Sequence, residues 1–162
     1  MTYRIAGLPR SDFSALFAMN DAQLAQSRAR RVVADADRGF PCRVSLRDAR
    51  KGESLILLHH VCHETDGPFR TAFAIYVRET AKEPDPYVDT LPPMLAERDL
   101  SLKGFGANGD LLAARLIRGN GGGATDHAIR DLFAGAAIRT IHVHNAAYGC
   151  FLCRVQRDGE AQ

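Results

Sequence analysis

The sequence predicts an α+β fold: a single domain over residues 1–162, mostly antiparallel β-sheet with two or three short helices. Three observations predict it. Short runs rich in Val, Ile, Leu, Phe and Tyr recur along the chain, each bounded by Gly, Pro, Asn or Asp. Asn108-Gly109 sits between two such runs, where a hairpin turn belongs. Strand and helix patterns do not alternate in the repeated way that a doubly wound parallel sheet requires.

Each element has its own reason. Tyr3–Ala6 reads as a short strand ended by Gly7 and Pro9, and Phe13–Met19 as a helical turn. Asn20 and Gln23 have capping-box spacing, so a helix runs from Asp21 to about Arg28. Arg31–Ala34 reads as an edge strand. Pro41–Leu46, Ser54–Cys62 and Thr71–Arg78 read as strands. The second is apolar on both faces, Leu55 and Leu57 against Ile56 and Leu58, which places it inside a sheet. Pro84, Pro86, Pro92 and Pro93 cannot donate to a ladder, making Glu83–Pro93 a surface loop. Asp99–Phe105 and Asp110–Ile117 flank Asn108-Gly109, whose residue types suit a type I′ turn. The run Gly121–Gly123 lacks the Gly-Lys-Ser/Thr ending of a phosphate loop and reads as a flexible connector. Ile129, Leu132, Phe133 and Ala136 mark one face of a helix capped by Thr125 or Asp126. Ile138–His144 and Cys150–Gln156 complete the strands.

Bulk properties exclude several classes. Hydrophobic residues at 46% and charged residues at 25% match a globular domain and exclude a disordered one. A net charge of +2, with the densest basic run (Arg28, Arg30, Arg31) free of aromatic residues, argues against a nucleic-acid partner. The start of the chain has no secretory h-region, and no run approaches the roughly 20 apolar residues of a membrane helix. A cytoplasmic, membrane-free protein is expected, with its four cysteines as thiols or ligands rather than disulfides.

The chemistry concentrates near the C-terminus. Side chains alternate along a strand, so Ile141 and Val143 take one face and His142 and His144 share the other. Two imidazoles at that spacing can reach one metal ion. A second cluster, His59-His60-Val61-Cys62-His63, ends the interior strand, with His59 and His63 expected on one face and His60 and Cys62 on the other. If the two clusters meet, a third ligand is at hand. Cys150 and Cys153 have zinc half-site spacing but no second pair, and Cys153 reads as a buried apolar residue. Cys150 with His142 or His144 and Asn145 supplies the residue types of a cysteine–histidine nucleophile, as does Cys42. Arg43, Arg47 and Arg70 can hold a carboxylate, although solvated surface positions are the ordinary reading.

The chain resembles a bacterial family known only as domain of unknown function 1203. The likeness runs through Gly39-Phe40-Pro41-Cys42-Arg43-Val44-Ser45-Leu46-Arg47-Asp48-Ala49, Lys51-Gly52-Glu53, Pro68-Phe69-Arg70 and Ala74-Ile75-Tyr76-Val77-Arg78-Glu79. It ends with Ile141-His142-Val143-His144-Asn145-Ala146 and Gly149-Cys150-Phe151, the most specific block. The resemblance implies a domain of about this size and no particular activity. It also implies one histidine near His63, which narrows the set to His63, His142, His144 and Cys150.

The leading expectation is a metal-dependent small-molecule enzyme or metal-binding protein. His142, His144 and His63 would hold zinc or iron, with Cys150 as an alternative third ligand. Cys150, Asn145 and Arg70 would be the catalytic or substrate-orienting groups. A non-catalytic binding domain with structural histidines, self-associating as a homodimer through a sheet edge, is the alternative. A Cys150 nucleophile is the third.

Overall fold

The computed structural model describes residues 1–119 and 122–159. The strands divide into two sheets where the sequence suggested one. The first joins β1 (Tyr3–Ala6), β7 (Tyr87–Val88), β8 (Leu100–Phe105), β9 (Leu111–Ile117), β10 (Thr140–Asn145) and β11 (Phe151–Arg157), in the order β7-β1-β11-β10-β8-β9. The second joins β2 (Ala29–Val33), β3 (Pro41–Cys42), β4 (Arg47–Asp48), β5 (Ser54–His63) and β6 (Thr71–Arg78), in the order β2-β5-β6-β3-β4. All pairings are antiparallel except the single contact of β3 with β6, Cys42 opposite Tyr76. The α+β expectation therefore holds.

Apolar periodicity decides the packing. Ile141 and Val143 of β10, Leu100 and Leu102 of β8, and Tyr3 and Ile5 of β1 face the helix α3 (Gly123–Ala134), which returns Ile129, Leu132 and Phe133. In the second sheet Ile56, Leu58, Ile75 and Val77 face the short helices α1 (Ser14–Phe17) and α2 (Asp21–Gln26), meeting Leu16, Phe17 and Leu24. Leu55 turns to the opposite face, against Ala34 and Ala49. As expected, β5 is interior and β2 lies at an edge. The capping box forms: Asn20 accepts from the Gln23 amide at 2.9 Å, and Gln23 accepts from the Asn20 amide at 2.9 Å.

Several elements depart from expectation. The strand expected at Pro41–Leu46 stops at Cys42, because the chain turns and Leu46 N–H donates to the Cys42 carbonyl. The turn sends Val44 into one core and Leu46, at φ 53°, into the other. Gly7 lies against this turn; a Cβ there would stand 1.9 Å from the Val44 carbonyl oxygen, so only glycine fits. The loop at Glu83–Pro93 contains the two-residue β7. The hairpin after β8 spans residues 106–110 and is not type I′. Only Gly109 takes positive φ there, and Gly106 N–H donates to Asp110. The cap of α3 is Gly122, with Thr125 and Asp126 in its first turn; Asp126 instead accepts from the Tyr3 hydroxyl at 2.7 Å. Residues 120 and 121 of the expected connector lie outside the described residues.

Candidate functional site between the sheets

Alternation along β10 holds, and its consequence is unusual. With Ile141 and Val143 committed to α3, His142 and His144 point into the space between the two sheets, each 2% exposed. The partner strand β11 carries a bulge opposite Val143/His144, which lets Leu152 and Cys153 both join the apolar core while Phe151 turns to the histidines. Phe151 lies 5.3 Å from His142 and 5.9 Å from His144, centroid to centroid.

The second histidine cluster divides. His59 is exposed, and His60 packs beside Phe13 at 5.8 Å. A register shift between Val61 and His63 inserts Cys62 as an extra residue on β5. Strict alternation would have left His63 on the exposed side with His59; the bulge turns it inward instead. Its ring lies 4.1 Å from Phe105 and 5.1 Å from His142, the latter edge-on at 85°. His142 and His144 are 6.2 Å apart, and Phe73 of β6 closes over His144 at 5.2 Å. Three histidines from two sheets thus share one aromatic box, and the two segments meet.

Hydrogen bonds set the tautomers. A carbonyl can only accept, so His63 donates from Nε2 to Gly109 at 2.8 Å and His144 donates from Nδ1 to Gly149 at 2.9 Å. His63 Nδ1 and His144 Nε2 are left as lone-pair nitrogens. His144 Nε2 is buried with no hydrogen-bond partner among the described residues. Burial, assisted by the charges of Arg154 and Lys103 and by the neighbouring rings, drives His142 down to about 2. Burial also lowers His144 to about 4, against the Gly149 bond that favours its protonated form. His142 and His144 are therefore both uncharged at neutral pH, the form a metal ligand needs. Against that, Arg154 and Lys103 repel a bare cation. Among the described residues, no three or more His, Cys, Asp or Glu side chains stand grouped so as to hold one metal ion.

The other expected residues lie differently. Asn145 accepts from the backbone N–H of Ala147 and Tyr148 at 3.0 and 3.1 Å, so its carboxamide oxygen shapes the turn after β10. Arg70 is engaged by Glu64 in a two-point surface pair at 2.5 and 3.1 Å. All four cysteines are free; Cys42, Cys62 and Cys153 are buried and Cys150 is partly open. Burial pushes Cys62 up to about 11 and Cys153 up to about 12, leaving both as inert thiols.

Arg43 is the residue that sequence reasoning placed wrongly. It is not a solvated surface arginine: it is 1% exposed, the bulkiest fully buried side chain of the described residues. Its Nε donates to the Phe151 carbonyl at 2.8 Å and its Nη1 to the Pro41 carbonyl at 2.5 Å, and the Cys150 sulfur lies near it. No carboxylate partners it among the described residues. Arg154 makes the reverse tie, from β11 to the Cys62 carbonyl at 2.5 Å. Two guanidinium forks thus fasten each sheet to the backbone of the other around the histidine box. Only the apolar neighbours Val44 and Leu46 hinted at such burial.

Fold and site together define an α+β protein of two facing sheets that enclose three histidines. Residues 39–157 match the family described as proteins of unknown function, DUF1203, and the chain belongs to that family. The match contains the whole histidine box and Arg43. No curated protein and no solved structure matches the chain. No helix among the described residues is long and apolar enough to cross a membrane.

Proposed function

We propose that the inter-sheet box is a metal-binding centre for small-molecule chemistry, with His142 and His144 as primary ligands and His63 as the third. One observation carries this: His144 Nε2 is a buried lone pair with no partner, while its other nitrogen is anchored on a backbone carbonyl. Ligating histidines are typically oriented by such an anchor. His63 is anchored in the same way, through Gly109. Closing the set requires ring rotation, chiefly of His142. Zinc or iron suits an all-imidazole set, and such an ion, with its charge unneutralised by ligands, would activate a water or hold an anionic oxygen. Protein purified without chelator or histidine tag, or titrated with Co²⁺, is expected to bind about one equivalent of metal. His142→Ala/His144→Ala, checked for folding by near-UV circular dichroism, is expected to bind none. A wild type that takes up no metal by elemental analysis or by a cobalt absorption band would sink the reading.

The nearness of Arg43 to Cys150 favours a second reading, a reactive thiol at the rim of the same box. A guanidinium beside a partly open sulfur is the setting that favours nucleophilic cysteines. Iodoacetamide at pH 7 is expected to alkylate Cys150 at least tenfold faster than the three buried cysteines, read by peptide mass spectrometry. Equal, slow labelling of all four would remove this reading. The free thiols support a reducing compartment such as the cytoplasm. We place any self-association at β9, an edge strand with Leu112 and Leu116 exposed. A monomer in light scattering at high concentration would exclude it.

A further inference from the structure

A second site lies away from the histidine box. A cleft of about 770 Å³ opens between β4, Glu53 just before β5, Arg78 at the end of β6, and the turn around Met94. Its size is that of a small-molecule pocket. Five arginines line it, and three of them are matched. Arg78 holds both oxygens of Glu53 at 2.8 and 3.0 Å, Arg98 holds Asp48 at 2.6 Å, and Arg38 holds Glu97. The first two pairs are mostly withdrawn from solvent and fix the walls.

The other two arginines, Arg47 and Arg50, are exposed, and among the described residues neither side chain makes a hydrogen bond or ion pair. The fourth acid of the lining, Asp37, is already used by the Lys51 backbone N–H at 2.9 Å. Structured ion pairs that leave two planar forks unsatisfied in one concavity present donors with no acceptor. Guanidinium forks match the paired oxygens of phosphate and carboxylate.

We propose that this cleft binds a small polyanion, a phosphorylated or polycarboxylate molecule, with Arg47 and Arg50 as its charge contacts. The site is independent of the metal reading, since it shares no residue with the histidine box. The test is calorimetric titration at fixed ionic strength with pyrophosphate in one arm and citrate in the other, which separates the two oxyanion classes. The wild type is expected to bind one equivalent of at least one probe. Arg47→Gln/Arg50→Gln is expected to bind it at least tenfold more weakly with an unchanged melting temperature. Arg28→Gln/Arg30→Gln, which alters exposed arginines outside the cleft, is expected to bind as the wild type does. Absence of binding to both probes, undiminished binding by the cleft variant, or equal weakening in the control pair would each overturn the proposal.

Discussion

Metal-free protein is expected to lose about 4 kcal/mol of stability between pH 7.5 and pH 5, read as a fall in urea midpoint at constant slope. The cause is His142 and His144. In the unfolded chain each takes up a proton near pH 6.5. In the folded chain burial holds them down to about 2 and about 4. Between pH 6.5 and about 4 the unfolded state therefore binds about two more protons than the native state, and stability rises with pH through that window. Each histidine contributes about 1.4 kcal/mol per pH unit there, and the gain is complete above pH 6.5. His60, also lowered chiefly by burial, acts in the same direction. A loss of that size is a large part of the roughly 5–15 kcal/mol that a domain possesses. His142→Phe is expected to reduce the dependence by about half. A midpoint that does not move between pH 7.5 and 5 would mean that water reaches the box and protonates it in the native state.

The second large effect is expected at Arg43. Arg43→Ala should lower stability by about 4 kcal/mol. It leaves the carbonyls of Phe151 and Pro41 buried without their charged donor, at about 1–3 kcal/mol each, and opens a cavity where the bulkiest fully buried side chain stood. Removing a buried charge offsets part of this, because desolvation of the guanidinium is itself unfavourable. The carbonyls decide the sign, since nothing else described donates to them from that side chain's position. Arg43→Lys keeps the charge but not the planar fork, and about half the loss is expected. Equilibrium unfolding in urea measures both. A loss under 1 kcal/mol for Arg43→Ala would show that the tie between the sheets is dispensable.

Most of the fold was legible because alternation and capping are local. The capping box at Asn20 and Gln23, the interior position of β5 and the shared face of His142 and His144 all follow from spacing within a few residues. What escaped was set by partners distant in sequence. The inward turn of His63 depends on a bulge whose register is fixed by β6. The division into two sheets depends on which strands find each other, and on the turn at residues 43–46 that sends Val44 and Leu46 into different cores. Arg43 escaped for the same reason: its acceptors lie on Phe151 and Pro41, and the first of these is over a hundred residues away. The type I′ expectation failed because Asn108 keeps ordinary φ in a longer loop. Of the cleft arginines the sequence marked only Arg47, among three that can hold a carboxylate; Arg50 carried no pattern, since its meaning comes from which neighbours are already paired.

The pairing of β1 with β11 has a kinetic meaning. Tyr3 lies opposite Arg157, so the first strand has only the short β7 as a partner until the last strand arrives. During synthesis the second sheet, assembled from β2 to β6, can gather as its strands emerge. The first sheet, and with it the wall that carries His142 and His144, closes only after β11 has left the ribosome. A high sequence separation between paired strands slows folding. The candidate site, which takes Phe151 from β11, is thus completed late in synthesis.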